Sequence, residues 1–338
     1  MPEIPALELA ALLPLVAALL LAAFNYRRAL SLRAAAVMTG VLVLLDQSRM
    51  QPWVYEYWLL VVVLSFAGSR APARRIEGIL MTCRLILIAL YFWSAIQKMN
   101  ITFMTHTWPE LCAGLANTTQ FANVLSRAGW VAAVAELALA AALLSNRSRR
   151  IAVAAAVTMH IVIVLMLAAE GENAVVWPWN ATMAALTVFL FAGNRMEGLA
   201  VVRGDGSLRH LTVVIVVGML PVLSLFGRWD AYLSAALYSG NTLQAVVIVP
   251  RKNLSHLPPL VKNNTWQRSE PMFIDINRWS YDELNVPAYP SERVMKAVGG
   301  DICRHYSPDG ILQILGRPNW LSGERTRSSY DCSALIGE

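Results

Sequence analysis

Charged side chains are scarce in this chain of 338 residues, since Lys, Arg, Asp and Glu make up only 15% of it. A soluble globular domain usually carries about 25% charged residues, whereas 57% of this chain is hydrophobic. The composition therefore predicts an integral membrane protein. The polar and apolar alternation of a membrane β-barrel is also lacking, so the predicted architecture is a helical bundle.

Several catalytic motifs are missing. The five histidines show neither HxxxH nor HExxH spacing, so no metal site is predicted. The chain lacks a CxxC pair, a GxSxG elbow, a Walker loop and a GxGxxG fingerprint. Dithiol redox chemistry, serine hydrolysis and phosphoryl transfer therefore have no recognisable machinery.

Eight apolar stretches are present, and a transmembrane helix needs about 17 to 25 residues. We interpret each stretch as one span. They are Ala6–Phe24, Leu32–Gln47, Trp53–Gly68, Ile79–Met99, Arg127–Ser145, Ile151–Ala168, Val175–Gly193 and Leu211–Gly227. The predicted fold is an all-α polytopic bundle of about eight spans over residues 1–228.

The net charge of +6 is explained by arginine clusters that follow the first, third, fifth and seventh spans, so no nucleic-acid partner is predicted. The clusters are Arg27, Arg28 and Arg33; Arg70, Arg74 and Arg75; Arg147, Arg149 and Arg150; and Arg195, Arg203 and Arg209. By the positive-inside rule all four clusters are cytoplasmic. Eight spans then place both termini outside the cytoplasm.

Residues 229–338 are less hydrophobic and richer in proline. The segments Leu243–Val249 and Gly310–Leu315 are predicted strands, and Ser291–Arg304 is a predicted helix with Ser291 as its N-cap. This part is predicted to be a small α+β domain outside the membrane on the extracytoplasmic side. A disulfide between its Cys303 and Cys332 is plausible in an oxidising compartment, and two separately buried thiols are the alternative.

Lys98 is the only lysine before Lys252, and it lies in the last turn of an apolar segment. An ionisable residue in a membrane helix is a candidate functional site, although a lysine at a helix end can also snorkel to the interface. Tyr91 and Ser94 share a helical stripe with Lys98. We expect Lys98 to be catalytic, with Tyr91, Ser94 and the following Asn100 supporting it.

Other ionisable residues lie deeper in the predicted bundle. Arg84 lies about 21 Å from Lys98 by helical rise, so it belongs to a different site, and Glu136 is its expected partner in a structural ion pair. His160 lies in the middle of the sixth span. It is interpreted either as a hydrogen-bonded core residue or as a residue that supports the Lys98 site without contacting the lysine.

The connections beyond Lys98 are rich in aromatic and polar residues. His106 follows the Lys98 helix, and Trp177, Trp179 and Asn180 begin a later span. Interfacial tryptophans commonly anchor a membrane protein. These four residues could instead form the outer mouth of an apolar pocket for a lipid-like ring compound.

The segment Tyr91–Asn100, preceded by Arg84, resembles a segment of the vitamin K-dependent γ-carboxylase and of bacterial HTTM-domain proteins. The resemblance continues through Ala135–Leu137, the arginine-rich turn Asn146–Arg150 and Met159-His160. It covers roughly residues 30 to 230. The spacing from Arg84 to Lys98 also resembles the DoxX and MauE-like membrane proteins, which are linked to quinone-dependent or thiol redox work in the cell envelope.

The resemblance implies that Lys98 acts as a base toward a reduced vitamin K-like quinone on the outer side. Oxygenation of that quinol then creates a stronger base, which removes a glutamate γ-proton before carbon dioxide adds. A carboxylase-like lyase or a quinone-linked oxidoreductase is therefore one hypothesis. The alternative is a non-catalytic cell-envelope protein that binds or positions a protein or peptide through its external domain. A carrier is a third hypothesis, although no internal repeat is visible.

Overall fold

The computed structural model describes residues 5–68, 71–116, 124, 127–171, 173–193, 198, 200–259, 261, 265–266 and 272–337. Helices dominate as far as Phe226, and an antiparallel sheet with flanking helices follows. Arg70 and Arg195, which belong to two of the predicted arginine clusters, lie outside the described residues.

The helical part contains the following elements. They are α1 (Pro5–Ala23), α2 (Arg28–Leu45), α3 (Pro52–Leu64), α4 (Ala73–Lys98), α5 (Trp108–Ala116), α6 (Gly129–Leu144), α7 (Arg149–Glu170), α8 (Trp177–Phe191), α9 (Ala200–Arg203) and α10 (Leu208–Val213). A π-helical turn, Phe103–Thr107, leads into α5. Helix α10 continues as a π-helix over Val214–Met219 and as a 3-10 helix over Leu220–Phe226.

Within the described residues, five helical segments are long and apolar enough to cross a membrane. They are Arg28–Leu45, Ala73–Lys98, Arg149–Ala169, Ala174–Phe191 and Leu208–Phe226. Shorter apolar helices over Leu12–Ala23, Pro52–Leu64 and Gly129–Leu144 coincide with the remaining predicted spans. The helical and apolar character of this part of the chain is therefore confirmed, and the count of eight spans stays a prediction.

Helix α4 lies at the centre of the bundle, where it packs against α3, α6, α8 and α10. Two thirds of its most apolar window is buried, against a third or less for the other four long segments. Because α4 is surrounded by other helices, polar side chains along it must find partners inside the protein. It carries both Arg84 and Lys98.

The ends of α7 and α8 have local causes in the sequence. Helix α7 ends at Gly171, whose φ of 71° is in the left-handed region that glycine adopts most readily. Helix α8 has Pro178 in its first turn, where the missing backbone N–H has no intrahelical partner to lose. This start fixes Trp179 and Asn180 in the first turn of α8, close to the middle of α7.

The C-terminal part contains one antiparallel sheet with the strand order β2-β3-β1-β4-β5. Its strands are β1 (Gln244–Val249), β2 (Thr265–Trp266), β3 (Met272–Asp275), β4 (Ile311–Pro318) and β5 (Arg325–Asp331). The helices α11 (Ile276–Leu284), α12 (Glu292–Tyr306) and α13 (Cys332–Gly337) accompany it. Buried side chains of the sheet and of α12 form a separate hydrophobic core.

Both predicted strands and the predicted helix of this part are present, as β1, β4 and α12. The Ser291 hydroxyl accepts a hydrogen bond from the Val294 N–H, as expected of an N-cap. Cys303 of α12 and Cys332 of α13 form a disulfide with a Cα–Cα distance of 5.2 Å. The bridge joins two helices that close the same core.

The sheet domain packs on the end of the bundle at which α4 terminates. The Ile101 N–H donates to the Trp320 carbonyl at 2.9 Å. Arg317 donates to the Ser224 carbonyl at 2.5 Å, and Gln51 Nε2 donates to the Pro287 carbonyl at 3.2 Å. Lys98 therefore lies at the end of the bundle that faces the C-terminal domain.

Candidate functional site

Lys98 is held by two oxygen acceptors at the C-terminal end of α4. Its Nζ donates to Glu136 Oε2 on α6 at 2.6 Å and to Ser94 Oγ at 2.7 Å. Ser94 is one helical turn before Lys98, so the serine bond is local, whereas the glutamate bond joins two helices. The side chains of Lys98 and Glu136 are 17% and 10% exposed, so this is a largely buried ion pair.

The predicted ion pair between Arg84 and Glu136 is wrong. Glu136 accepts from Lys98, and Arg84 Nε donates instead to the Leu190 carbonyl at 2.7 Å. Leu190 lies in the last turn of α8, where the helix dipole attracts cations. The Arg84 guanidinium is therefore satisfied by a helix end and does not require a carboxylate.

Arg149 repeats this arrangement at the end of α6. Its guanidinium donates to the carbonyls of Leu143 and Leu144, at 3.0 and 3.4 Å. Sequence reasoning treats a buried arginine as a group that needs an acid. The structure shows that a helix C-terminus satisfies the same requirement.

The Lys98–Glu136 pair lies on the wall of a cavity of about 530 Å³ between α6 and α7, here called the apolar cavity. Small side chains on both helices make room for it. They are Ala132, Ala135, Ala138 and Ala142 of α6, and Ala152 and Ala155 of α7. Met159, Leu167, Phe103 and Trp108 complete much of the lining, and Tyr238 contributes the rim nearest the sheet domain. The ion pair is the only pair of charges among the lining residues.

A chain of hydrogen bonds runs through the bundle core beside this pair. His160 Nδ1 lies 2.8 Å from Asn180 Oδ1, and His160 Nε2 lies 2.9 Å from the Tyr91 hydroxyl. The Tyr91 hydroxyl is also 2.9 Å from Thr187 Oγ1. Since an amide oxygen only accepts, the imidazole carries its proton on Nδ1, and a neutral ring accepts the Tyr91 proton at Nε2. Both ring nitrogens are therefore used, as in a hydrogen-bonded core histidine.

The residues predicted to support Lys98 divide into three groups. Ser94 contacts Lys98 directly, whereas Tyr91 and His160 belong to the neighbouring hydrogen-bond chain. His160 lies close enough to interact electrostatically with both Lys98 and Glu136. The Asn100 side chain instead donates to the carbonyls of Gln97 and Ser239 and accepts from the Phe103 N–H. Asn100 thereby fixes the turn after α4 to the segment that leads into the sheet.

The structure does not bring the four predicted pocket residues together. Asn180 belongs to the His160 chain, and Trp179 Nε1 donates to Glu56 Oε2 at 2.6 Å. His106 lines a different cavity, and Trp177 is 36% exposed. Residues one or two positions apart on a helix point in different directions, so consecutive residues of the α8 start reach separate environments.

Sequence reasoning missed Glu56. This residue of α3 is only 1% exposed. The signal was available, because a carboxylate within an apolar segment is a candidate functional residue by the same rule that selected Lys98. The aromatic residues around it, in Trp53-Val-Tyr-Glu-Tyr-Trp58, are also typical of a membrane interface.

A second cavity, of about 830 Å³ and here called the polar cavity, lies between the end of the bundle and the sheet domain. His106, Asp275, Arg278 and Arg325 are among its lining residues. Leu111, Leu167 and Tyr238 line both this cavity and the apolar cavity. The two cavities are therefore adjacent and share part of their lining.

No protein-family model, curated protein or solved structure matches the chain.

Proposed function

We propose that the chain is an integral membrane protein that binds a lipid-soluble ring compound of the quinol type in the apolar cavity, where Lys98 and Glu136 exchange a proton with it. The observation that carries the proposal is the position of one ion pair on the wall of an otherwise mostly apolar cavity. Cavities of about 300 to 1,000 Å³ with few polar groups suit small apolar ligands, which those polar groups orient.

The proton in this proposal is held between Lys98 Nζ and Glu136 Oε2. A salt bridge of 2.6 Å joins an ammonium to a carboxylate, so Lys98 acts as a base only after its own proton has left. Glu136 is the adjacent acceptor, and Ser94 Oγ keeps Nζ oriented while the proton moves. A reduced quinone, when bound, would supply an acidic hydroxyl at this position. The carboxylase-like reaction implied by the family resemblance stays a prediction.

The proposal includes eight spans, with both termini and the C-terminal domain outside the cytoplasm. The alternation of arginine-rich and arginine-poor connections supports this orientation. The packing of the sheet domain against the Lys98 end of α4 supports placing both on one side. A lipid-soluble ligand would then reach Lys98 near the outer face.

The test is to compare the wild type with Lys98→Arg in detergent, supplying a reduced quinone and a soluble electron acceptor as its oxidant, and measuring bound quinone and the rate of quinol oxidation. Arginine can keep the salt bridge to Glu136, but it does not release its proton near neutral pH. We expect the variant to insert and to retain quinone, with turnover reduced about 100-fold or more, as is usual when a general base is lost. Unchanged turnover in the variant would rule out the proton-transfer role.

A matched control separates binding from proton transfer. Ala155→Phe places a large side chain in the apolar cavity from α7 and leaves the ion pair in place. We expect this variant to lose bound quinone while its salt bridge persists. If Ala155→Phe binds quinone as well as the wild type does, the ligand does not occupy the apolar cavity.

The second candidate function is a non-catalytic envelope protein that binds a polar partner, such as a peptide, through the C-terminal domain. The polar cavity favours it, because exposed His106 and Arg278 face a large space at the domain boundary. Under this alternative Lys98→Arg is tolerated. Arg278→Glu should then weaken binding of the polar partner. Under the first proposal it should leave quinone binding unchanged.

A further inference from the structure

Glu56 is an isolated acidic side chain in the bundle core. It is 1% exposed, and its Oε2 accepts a hydrogen bond of 2.6 Å from the Trp179 indole. Its other oxygen, Oε1, is buried and makes no hydrogen bond. An ionised carboxylate normally accepts several hydrogen bonds, so one uncharged donor is far less than a buried charge requires.

No basic side chain in the described part of the chain forms an ion pair with Glu56. The titratable groups that the described residues place beside it are phenols, and the nearby Asp230 is an acid that interacts electrostatically with Tyr55 and Tyr232. Tyr57 on its own helix and Tyr91 on α4 interact with it electrostatically, and Tyr232 shares a small cavity with it. Phenols are neutral near pH 7, so none of them supplies a positive charge.

Glu136 provides an internal comparison, because it is also a largely buried glutamate but has an ammonium at 2.6 Å. Transfer of an isolated carboxylate into an apolar interior is so unfavourable that the group binds a proton instead. The ion pair removes that requirement for Glu136, whereas none of the described residues around Glu56 removes it.

A cavity of about 30 Å³ adjoins Glu56 between α3, α4 and the segment 232–235. This volume exceeds the roughly 10 to 15 Å³ that one water molecule needs. Tyr55 also lines the cavity, and its hydroxyl is buried without a hydrogen-bond partner. Two residues that each carry an unpartnered buried polar atom therefore line a water-sized space, and buried waters usually satisfy such groups.

We propose that Glu56 is a proton-binding site of the bundle, which remains a neutral carboxylic acid near neutral pH and shares one buried water with Tyr55. The site is separate from the Lys98–Glu136 pair. It gives the bundle a second carboxyl group, and this one holds its proton without any charged partner.

Infrared spectroscopy of the purified full-length protein tests the proposal, because a protonated carboxylic acid absorbs at higher frequency than a carboxylate. At neutral pH we expect a carboxylic acid band in the wild type that is lost in Glu56→Gln. The band should be retained in the matched control Glu136→Gln, where an ionised group is removed. Absence of the band from the wild type, or its persistence in Glu56→Gln, would overturn the proposal.

A second variant covers the case in which Glu56→Gln does not fold. Trp179→Phe keeps an aromatic ring but removes the indole donor to Glu56 Oε2, so the carboxylic acid band should move to higher frequency without losing intensity. An unmoved band would mean that it belongs to another group. Tyr55→Phe should shift the same band through the shared water, and an identical spectrum would remove the water from the proposal.

Discussion

The helical bundle and the C-terminal domain place their ion pairs in different environments. In the bundle, Arg84 and Arg149 bind carbonyls at helix ends, and Lys98 meets Glu136 inside the protein. In the sheet domain, ion pairs such as Lys296 with Glu292 lie on the surface, where the two side chains are 39% and 55% exposed. The ion pair inside the bundle therefore constrains how helices pack, whereas the ion pairs of the domain are largely solvated. Buried carbonyl contacts of arginine occur in both regions, since Arg325 of the domain donates to the carbonyls of Thr242 and Gly316.

The two regions also differ in what holds their elements together. The bundle relies on apolar helix packing around α4 and on polar contacts between helices. The domain has a continuous sheet ladder and a disulfide between α12 and α13. Removing the buried ion pair, the disulfide and a surface ion pair in turn shows how much each contributes to the stability of its region.

The largest effect is expected from Lys98→Met, which leaves Glu136 without its counter-ion. Removing one partner of a buried ion pair typically costs about 3 to 5 kcal/mol of stability. We expect the free energy of unfolding in detergent to fall by an amount in that range.

The double variant Lys98→Met/Glu136→Met is its control. Replacing both members of a buried pair with apolar residues is often neutral or stabilising, so the double variant should recover most of the lost stability. A double variant as unstable as Lys98→Met would show that Glu136 is not the partner whose loss matters.

A somewhat smaller effect, confined to the domain, is expected from Cys303→Ser. The disulfide closes a loop with a sequence separation of 29 residues, and loops of this size correspond to about 3 to 4 kcal/mol by restriction of the unfolded chain. Limited proteolysis should show earlier cleavage in residues 272–337 and unchanged cleavage in the bundle. The matching Cys83→Ser, a buried free thiol of α4, should leave the domain's cleavage rate unaltered.

The smallest effect is expected from Lys296→Ala. The hydrogen bond and charge of Lys296 lower the pKa of Glu292, so the substitution should raise that pKa toward the ordinary value in an NMR titration. A lowered carboxyl pKa stabilises the fold above the pKa of the unfolded chain, and this contribution disappears as the pH falls through the lowered value. Because the pair is on the surface, only a small loss of stability is expected at neutral pH. A loss of stability at neutral pH as large as that of Lys98→Met would contradict the difference between surface and buried ion pairs.

The amino-acid sequence alone predicted the helical, apolar character of the first part and three elements of the second, namely β1, β4 and α12. Apolar length marks helices of a bundle directly, because every backbone group must be satisfied within the segment. Ser291 marked the start of α12, and β-type patterns marked β1 and β4. These signals are local, so they need no knowledge of what packs against each element.

The choice of partners was decided only by the tertiary structure. The rarity and position of Lys98 in the sequence mark it as a functional candidate. The same sequence favours Arg84 as the partner of Glu136, whereas the structure pairs Glu136 with Lys98. The sequence does not show which helix end lies beside Arg84, whose guanidinium donates to the Leu190 carbonyl at the end of α8. Glu56 shows the same limit, because its isolation depends on α4 and α8 placing no cation beside it. Residue types determine which groups need a partner, and packing of distant helices determines which partner each one receives.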